Sequence, residues 1–165
     1  MALARRKIWL ARGTAFLLLA TLALVIGARP LQALVSERVV ADRHTGLAIF
    51  GFDPVAYFLD AKPVEGRSEF ELQVSDSIWR FRNAGNRAAF LANPDVYRPR
   101  YGGYDPVAIG RGVALPGNPQ IFLVTDQRLY FFYNSQARDA FARDPNTAIL
   151  AAEERWPDVV RSLTQ

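Results

Sequence analysis

The chain has 165 residues, half of them apolar, which suits one compact domain with a short appendage. It contains no cysteine and one histidine, His44, so a disulfide framework, a thiolate metal site and a cysteine nucleophile are excluded, and a histidine-rich metal cluster has almost nothing to draw on. The net charge of +4 is misleading: Arg5, Arg6, Lys7, Arg12 and Arg29 precede every acidic side chain, and the rest carries fifteen basic against sixteen acidic residues, a net of −1. A nucleic-acid binder needs its basic face on the domain itself, so nucleic acid is set aside as a partner.

Residues 1–12 hold four positive charges, and Gly13–Ala28 follow with none. A basic stretch before an apolar core is the pattern of an export signal, and it places the N-terminus inside and the remainder outside. Gly27 and Ala28 suit cleavage, but Leu31, Ala33, Leu34 and Val35 resume the apolar run and favour an uncleaved anchor. The expectation is a leader and linker over residues 1–36, with the domain over 37–165. It would be a single-pass inner-membrane protein facing the periplasm, or soluble there if the leader is cleaved.

The domain is internally repetitive. Gly51-Phe52-Asp53-Pro54-Val55-Ala56 returns as Gly103-Tyr104-Asp105-Pro106-Val107-Ala108. Leu72-x-Val74-Ser75-Asp76 parallels Phe122-x-Val124-Thr125-Asp126, and Trp79-x-Phe81-x-Asn83 parallels Tyr130-x-Phe132-x-Asn134. Arg87-x-Ala89-Phe90-x-x-x-Pro94 parallels Arg138-x-Ala140-Phe141-x-x-x-Pro145. Four blocks in one order, at offsets of 50 to 52, mark a duplication with units at about 51–97 and 103–147.

Each block has a physical reading. Asp caps a short helix and Pro takes its first position, where no amide donor is lost. Glu69–Val74 with Ile78–Arg82, and Ile121–Thr125 with Leu129–Tyr133, alternate about turns at Asp76 and Asp126 and predict hairpins. Asn83 and Asn134 stand where helix caps are wanted, and Pro94 and Pro145 should end the helices that follow. Thr147–Leu163 predicts a C-terminal helix that Pro157 should break or kink. The fold class is therefore α+β: two capped-turn, hairpin and helix units plus a C-terminal helix. A unit of about 50 residues buries little alone. The two are expected to pack with pseudo-two-fold symmetry over one core of Phe70, Leu72, Trp79, Phe81, Phe90, Phe122, Val124, Tyr130 and Phe132.

Gly51-Phe52-Asp53-Pro54-Val55-Ala56-Tyr57-Phe58, Trp79-Arg80-Phe81, Asn86-Arg87-x-Ala89-Phe90, Pro94-x-x-Tyr97 and Tyr101-Gly102-Gly103-Tyr104 together resemble the YHS-domain family, in its exported bacterial branch. The likeness runs through Pro116-Gly117-Asn118-Pro119 and Leu129-Tyr130 to Trp156-Pro157 and covers roughly residues 45–160. It implies a place beside metal-handling proteins in the broader family and no established activity in the exported branch. That branch usually reads Tyr-Gly-Gly-Tyr-Cys-Ala, and here Asp105 replaces the Cys, which removes the soft ligand.

Three readings of function follow. The first is a non-catalytic binding or accessory domain for a small molecule or a partner-delivered metal, held at the joint formed by Arg100, Tyr101, Gly102, Gly103, Tyr104 and Asp105, with Asp53 and Tyr57 nearby. Paired glycines allow close backbone approach, and tyrosine beside arginine suits a polar or anionic ligand. The competing view of that stretch is a connector whose rings fill the space between units. The second reading is an acid–base enzyme using Asp53 and Asp105, although their identical Asp-Pro contexts favour two separate caps. The third is a structural subunit of an envelope complex. No Ser/His/Asp set can be assembled around one histidine, and Gly110-Arg111-Gly112 lacks the lysine of a phosphate loop. His44 reads as a solvated loop residue, and the ligand or cofactor is left unknown.

Overall fold

The computed structural model describes residues 38–163, so the leader, and with it the expected anchor, lies outside the described residues. Among the described residues, no helix is long and apolar enough to cross a membrane.

A 3-10 turn at Ile49–Gly51 leads into the short helix α1 (Ala56–Leu59), the hairpin of β1 (Arg67–Val74) and β2 (Ser77–Phe81), and helices α2 (Ala84–Ala92) and α3 (Pro94–Tyr97). A second 3-10 turn at Arg100–Gly103 leads into α4 (Pro106–Ile109), β3 (Asn118–Thr125), β4 (Arg128–Phe132), α5 (Ser135–Arg143) and α6 (Pro145–Leu163). The protein is α+β, with two separate two-stranded antiparallel sheets.

Local chemistry sets these boundaries. Both hairpins close on two-residue loops, between Val74 and Ser77 and between Thr125 and Arg128. In the second loop Asp126 and Gln127 both have positive φ, the backbone whose twist matches the flanking strands. Each first strand bulges at its start, so Glu71 pairs with Arg80 and Phe122 with Phe131 directly after the irregularity. Asn83 and Asn134 cap α2 and α5 by accepting from the amides of Asn86 and Ala137, both at 2.8 Å. Pro94 and Pro145 end one helix and open the next, because a first helical position needs no amide donor.

The core differs from the single shared cluster expected. Trp79, Phe81 and Phe90 pack with Ile49, Val55 and Tyr57 in one cluster, and Tyr130, Phe132 and Phe141 pack with Tyr101, Tyr104 and Ile109 in another. β4 is the wall between them. Its side chains alternate, so Leu129 and Phe131 enter the first cluster while Tyr130 and Phe132 enter the second. Phe70, Leu72 and Phe122 are only half-buried, and Val124, expected inside, is exposed on its hairpin.

Tyr57, in the first unit, is tied to the second within the cluster it shares with Phe131. Its ring meets Phe122 at 4.8 Å and Phe131 at 5.2 Å, and its hydroxyl donates to the Pro119 carbonyl at 2.9 Å. Pro157 also departs from expectation, since α6 runs unbroken across it. Proline removes one helical bond, while Ala152, Val159 and Val160 are buried on either side and hold both segments on the core.

Candidate functional site

The sequence points first to the joint before α4. There Tyr101, Gly102 and Gly103 have φ of 55°, 60° and 91°, a left-handed run that turns the chain sharply. The amide of Val40 donates to the Gly102 carbonyl at 2.8 Å, and a Cβ on Gly102 would lie 2.3 Å from the Arg38 carbonyl oxygen. The segment at 38–40 therefore lies against the outside of the joint.

The rings fill the inside. Tyr101 is 2% exposed, with Trp156 at 5.5 Å and Tyr130 at 6.4 Å, and Tyr104 lies 6.0 Å from Trp156. Arg100 sits 5.3 Å over the Tyr101 ring and pairs with Glu153 at 2.9 Å. Burial disfavours the phenolate, pushing Tyr101 up to about 12 and raising Tyr104 and Tyr130 in the same direction. Burial, then the Asp53 charge, raises Tyr57 further still. The structure thus brings the predicted joint residues together as a packed connector, the competing view of that stretch, rather than as an open pocket.

Asp53 and Asp105 are also assembled, each within its own half. Asp53 is fully buried; its Oδ1 accepts from the Val55 amide at 2.9 Å, and its Oδ2 accepts from the Arg82 amide at 2.9 Å and Asn86 Nδ2 at 2.6 Å. Asp105, 1% exposed, accepts at Oδ1 from the amides of Val107 at 2.8 Å and Ala108 at 3.3 Å, and at Oδ2 from the Tyr133 amide at 2.9 Å. Each carboxylate ties the start of a short helix to the residue that follows the hairpin's second strand. They share no hydrogen-bond partner, so they act as two braces and not as a proton-sharing pair. His44 is exposed in a turn where its amide donates to Asp42, and among the described residues no group of three or more His, Cys, Asp or Glu could hold a metal.

The halves differ at one place that sequence reasoning passed over. Asn86, in the first turn of α2, supplies a second donor to Asp53 Oδ2; the residue at the same capped position of α5 is Ala137, which has none to give. Nearby, Arg82 and Asp60 form an ion pair beside Asp53, whereas Tyr133 follows β4 and is more than half exposed. A cleft of about 340 Å³ lies over Asp105 between α4 and α5, and Asp105, Arg111, Tyr133, Asn134, Gln136 and Arg143 supply its polar lining. A second hollow of about 300 Å³ adjoins it, sharing Val107, Arg111 and Ala140 and floored by Gly110, Ala148 and Ala151.

Two cations face this space. Arg111, in the turn after α4, donates its amide to the Ala108 carbonyl at 2.9 Å, and its guanidinium has no hydrogen bond or ion pair among the described residues. Arg143 spends only its Nε, on the Asp139 carbonyl at 3.2 Å. The signal for the cleft was present in the repeat: Asn86-Arg87 against Ala137-Arg138 is a mismatch directly beside a matched arginine.

No protein-family model, curated protein or solved structure matches the chain. The YHS likeness therefore rests on the motifs that carry it.

Proposed function

We propose that the chain is an exported, membrane-tethered domain of YHS type that binds a small molecule without transforming it, in the cleft over Asp105. One observation carries the reading: the same buried aspartate brace occurs in both halves, with Asn86 bonded to it in the first, whereas the second has Ala137 at that position and a cleft lined by Asp105 beside it. The leader supports delivery to the membrane, since its charges precede its apolar stretch. The cleft has the size of a small-ligand site and a few convergent polar groups. Asp105 stands where the resembled pattern has cysteine, and its carboxylate is already engaged by three amides, so no metal is assigned to it.

The test is native mass spectrometry of the full chain purified from an exporting host. A stoichiometric small molecule is expected on the wild type and lost from Ala137→Asn, which restores in the second half the amide that covers the first. A molecule retained by Ala137→Asn would place binding elsewhere. A clean unliganded mass for both would move weight to the structural-subunit reading.

A further inference from the structure

We infer that the cleft over Asp105 selects a small organic anion that also carries a hydrogen-bond donor, an amino- or hydroxy-carboxylate. The inference rests on the cleft being the binding site and goes on to name its ligand class.

Each brace accepts three hydrogen bonds, but they are divided differently between the two oxygens. Asp53 Oδ2 accepts two hydrogen bonds, at 2.9 and 2.6 Å, while Asp105 Oδ2 accepts one, from the Tyr133 amide. An ionised carboxylate only accepts, so a ligand group that bonds Asp105 Oδ2 must present an N–H or O–H, as Asn86 does for Asp53 Oδ2. Charge defines the other end. The Arg111 guanidinium is without a partner among the described residues, and the Nη groups of Arg143 are likewise uncommitted. A guanidinium offers a planar fork that matches a carboxylate, and such charge-assisted bonds are about twice as strong as neutral ones.

The adjoining hollow sets the remainder. Ala140, Ala148 and Ala151 give it an apolar floor that accepts a short aliphatic stretch. Asp144 stands on its rim, its carboxyl lowered by bonds from the Thr147 side chain and amide, and its negative charge repels a second anionic group. A compact ligand with one anionic head and one donor fits these constraints; a dianion or a purely cationic amine does not.

The probes are 4-aminobutyrate, 4-hydroxybutyrate, butyrate, butylamine and inorganic phosphate, added to the full chain in detergent and followed by calorimetry and amide chemical shifts. The amino and hydroxy compounds are expected to move the resonances of Val107, Tyr133 and Ala137. Butyrate should bind about tenfold more weakly or worse, the loss of one charge-assisted hydrogen bond. Arg111→Ala should weaken the two good ligands by about the same factor, and Ala137→Asn, a residue the first half already carries at this position, should abolish their binding in a folded protein. Butyrate, butylamine or phosphate binding as tightly as 4-aminobutyrate, with sensitivity to Ala137→Asn retained, would overturn the ligand class and leave the cleft standing. No response of these resonances to any probe also overturns the class, and the cleft is then judged by the native mass experiment alone. Undiminished 4-aminobutyrate binding to Ala137→Asn would overturn both.

Discussion

Asn86→Ala removes the donor that distinguishes the two halves. In the wild type Asn86 Nδ2 meets Asp53 Oδ2 at 2.6 Å, with Asp53 fully buried and Asn86 5% exposed. A hydrogen bond to a charged group contributes about 1.5–3 kcal/mol. The lower part of that range is expected, because the Val55 and Arg82 amides still hold the carboxylate and water can enter where the amide stood. The predicted loss is therefore about 2 kcal/mol, which for a domain of this size lowers the melting temperature by roughly 6–10 °C. Trp79, 1% exposed and 4.9 Å from Phe90, reports the first cluster directly, so urea unfolding followed by tryptophan fluorescence measures the effect. A loss under about 0.5 kcal/mol, within the range of ordinary surface substitutions, would refute the claim that Asn86 completes a buried charged brace.

Three further outcomes follow from the packing. Gly102→Ala should cost well over about 2 kcal/mol, because the new Cβ would lie 2.3 Å from the Arg38 carbonyl at a φ of +60°; Gly112→Ala, at φ +78° with open space around it, should cost only about 1–2 kcal/mol, and equal losses in chemical denaturation would contradict the account of the joint. Tyr57→Phe keeps both ring contacts but orphans the Pro119 carbonyl, so a loss of about 1–2 kcal/mol is expected in the same assay, and a neutral result would deny the hydroxyl its linking role. Stability should fall as pH rises above 10: the unfolded chain releases its phenolic protons near 10 while folded Tyr101 keeps its own to about 12, so over that window the folded state binds more protons and is penalised by their removal. A urea midpoint that stays flat from pH 10 to 12, with tyrosinate absorbance developing at the unfolded value, would contradict the burial of these rings.

Much of the local structure was legible because it depends on short-range chemistry. Asn83 and Asn134 announce helix starts, the loop aspartates announce hairpins, and the matched blocks give the element order. The layering of the core was harder to see. β2 reads Ile78-Trp79-Arg80-Phe81, with every second residue turned to one side, whereas β4 reads Leu129-Tyr130-Phe131-Phe132, apolar at every place. A run of that kind marks a strand buried on both faces, so exchanging the Glu71–Arg80 pair for Phe122–Phe131 was the signal for two clusters separated by β4. The covering of Gly102 by residues 38–40 is a non-local contact that leaves no motif, and Pro157 is tolerated because tertiary packing outweighs a local helix penalty. The candidate site moved for a related reason. Repeats draw attention to what matches, and the cleft arises at Ala137, where they do not.

The central claim is that the second half holds a ligand in the cleft beside its aspartate brace. A high-resolution experimental structure of the full chain, purified from an exporting host with no carboxylate in any buffer, tests it most directly. The account predicts a bound non-solvent molecule between α4 and α5, within hydrogen-bonding distance of Asp105 Oδ2 and the Arg111 guanidinium. A cleft holding only water, together with a bound molecule at the Tyr101–Tyr104 joint, would contradict it.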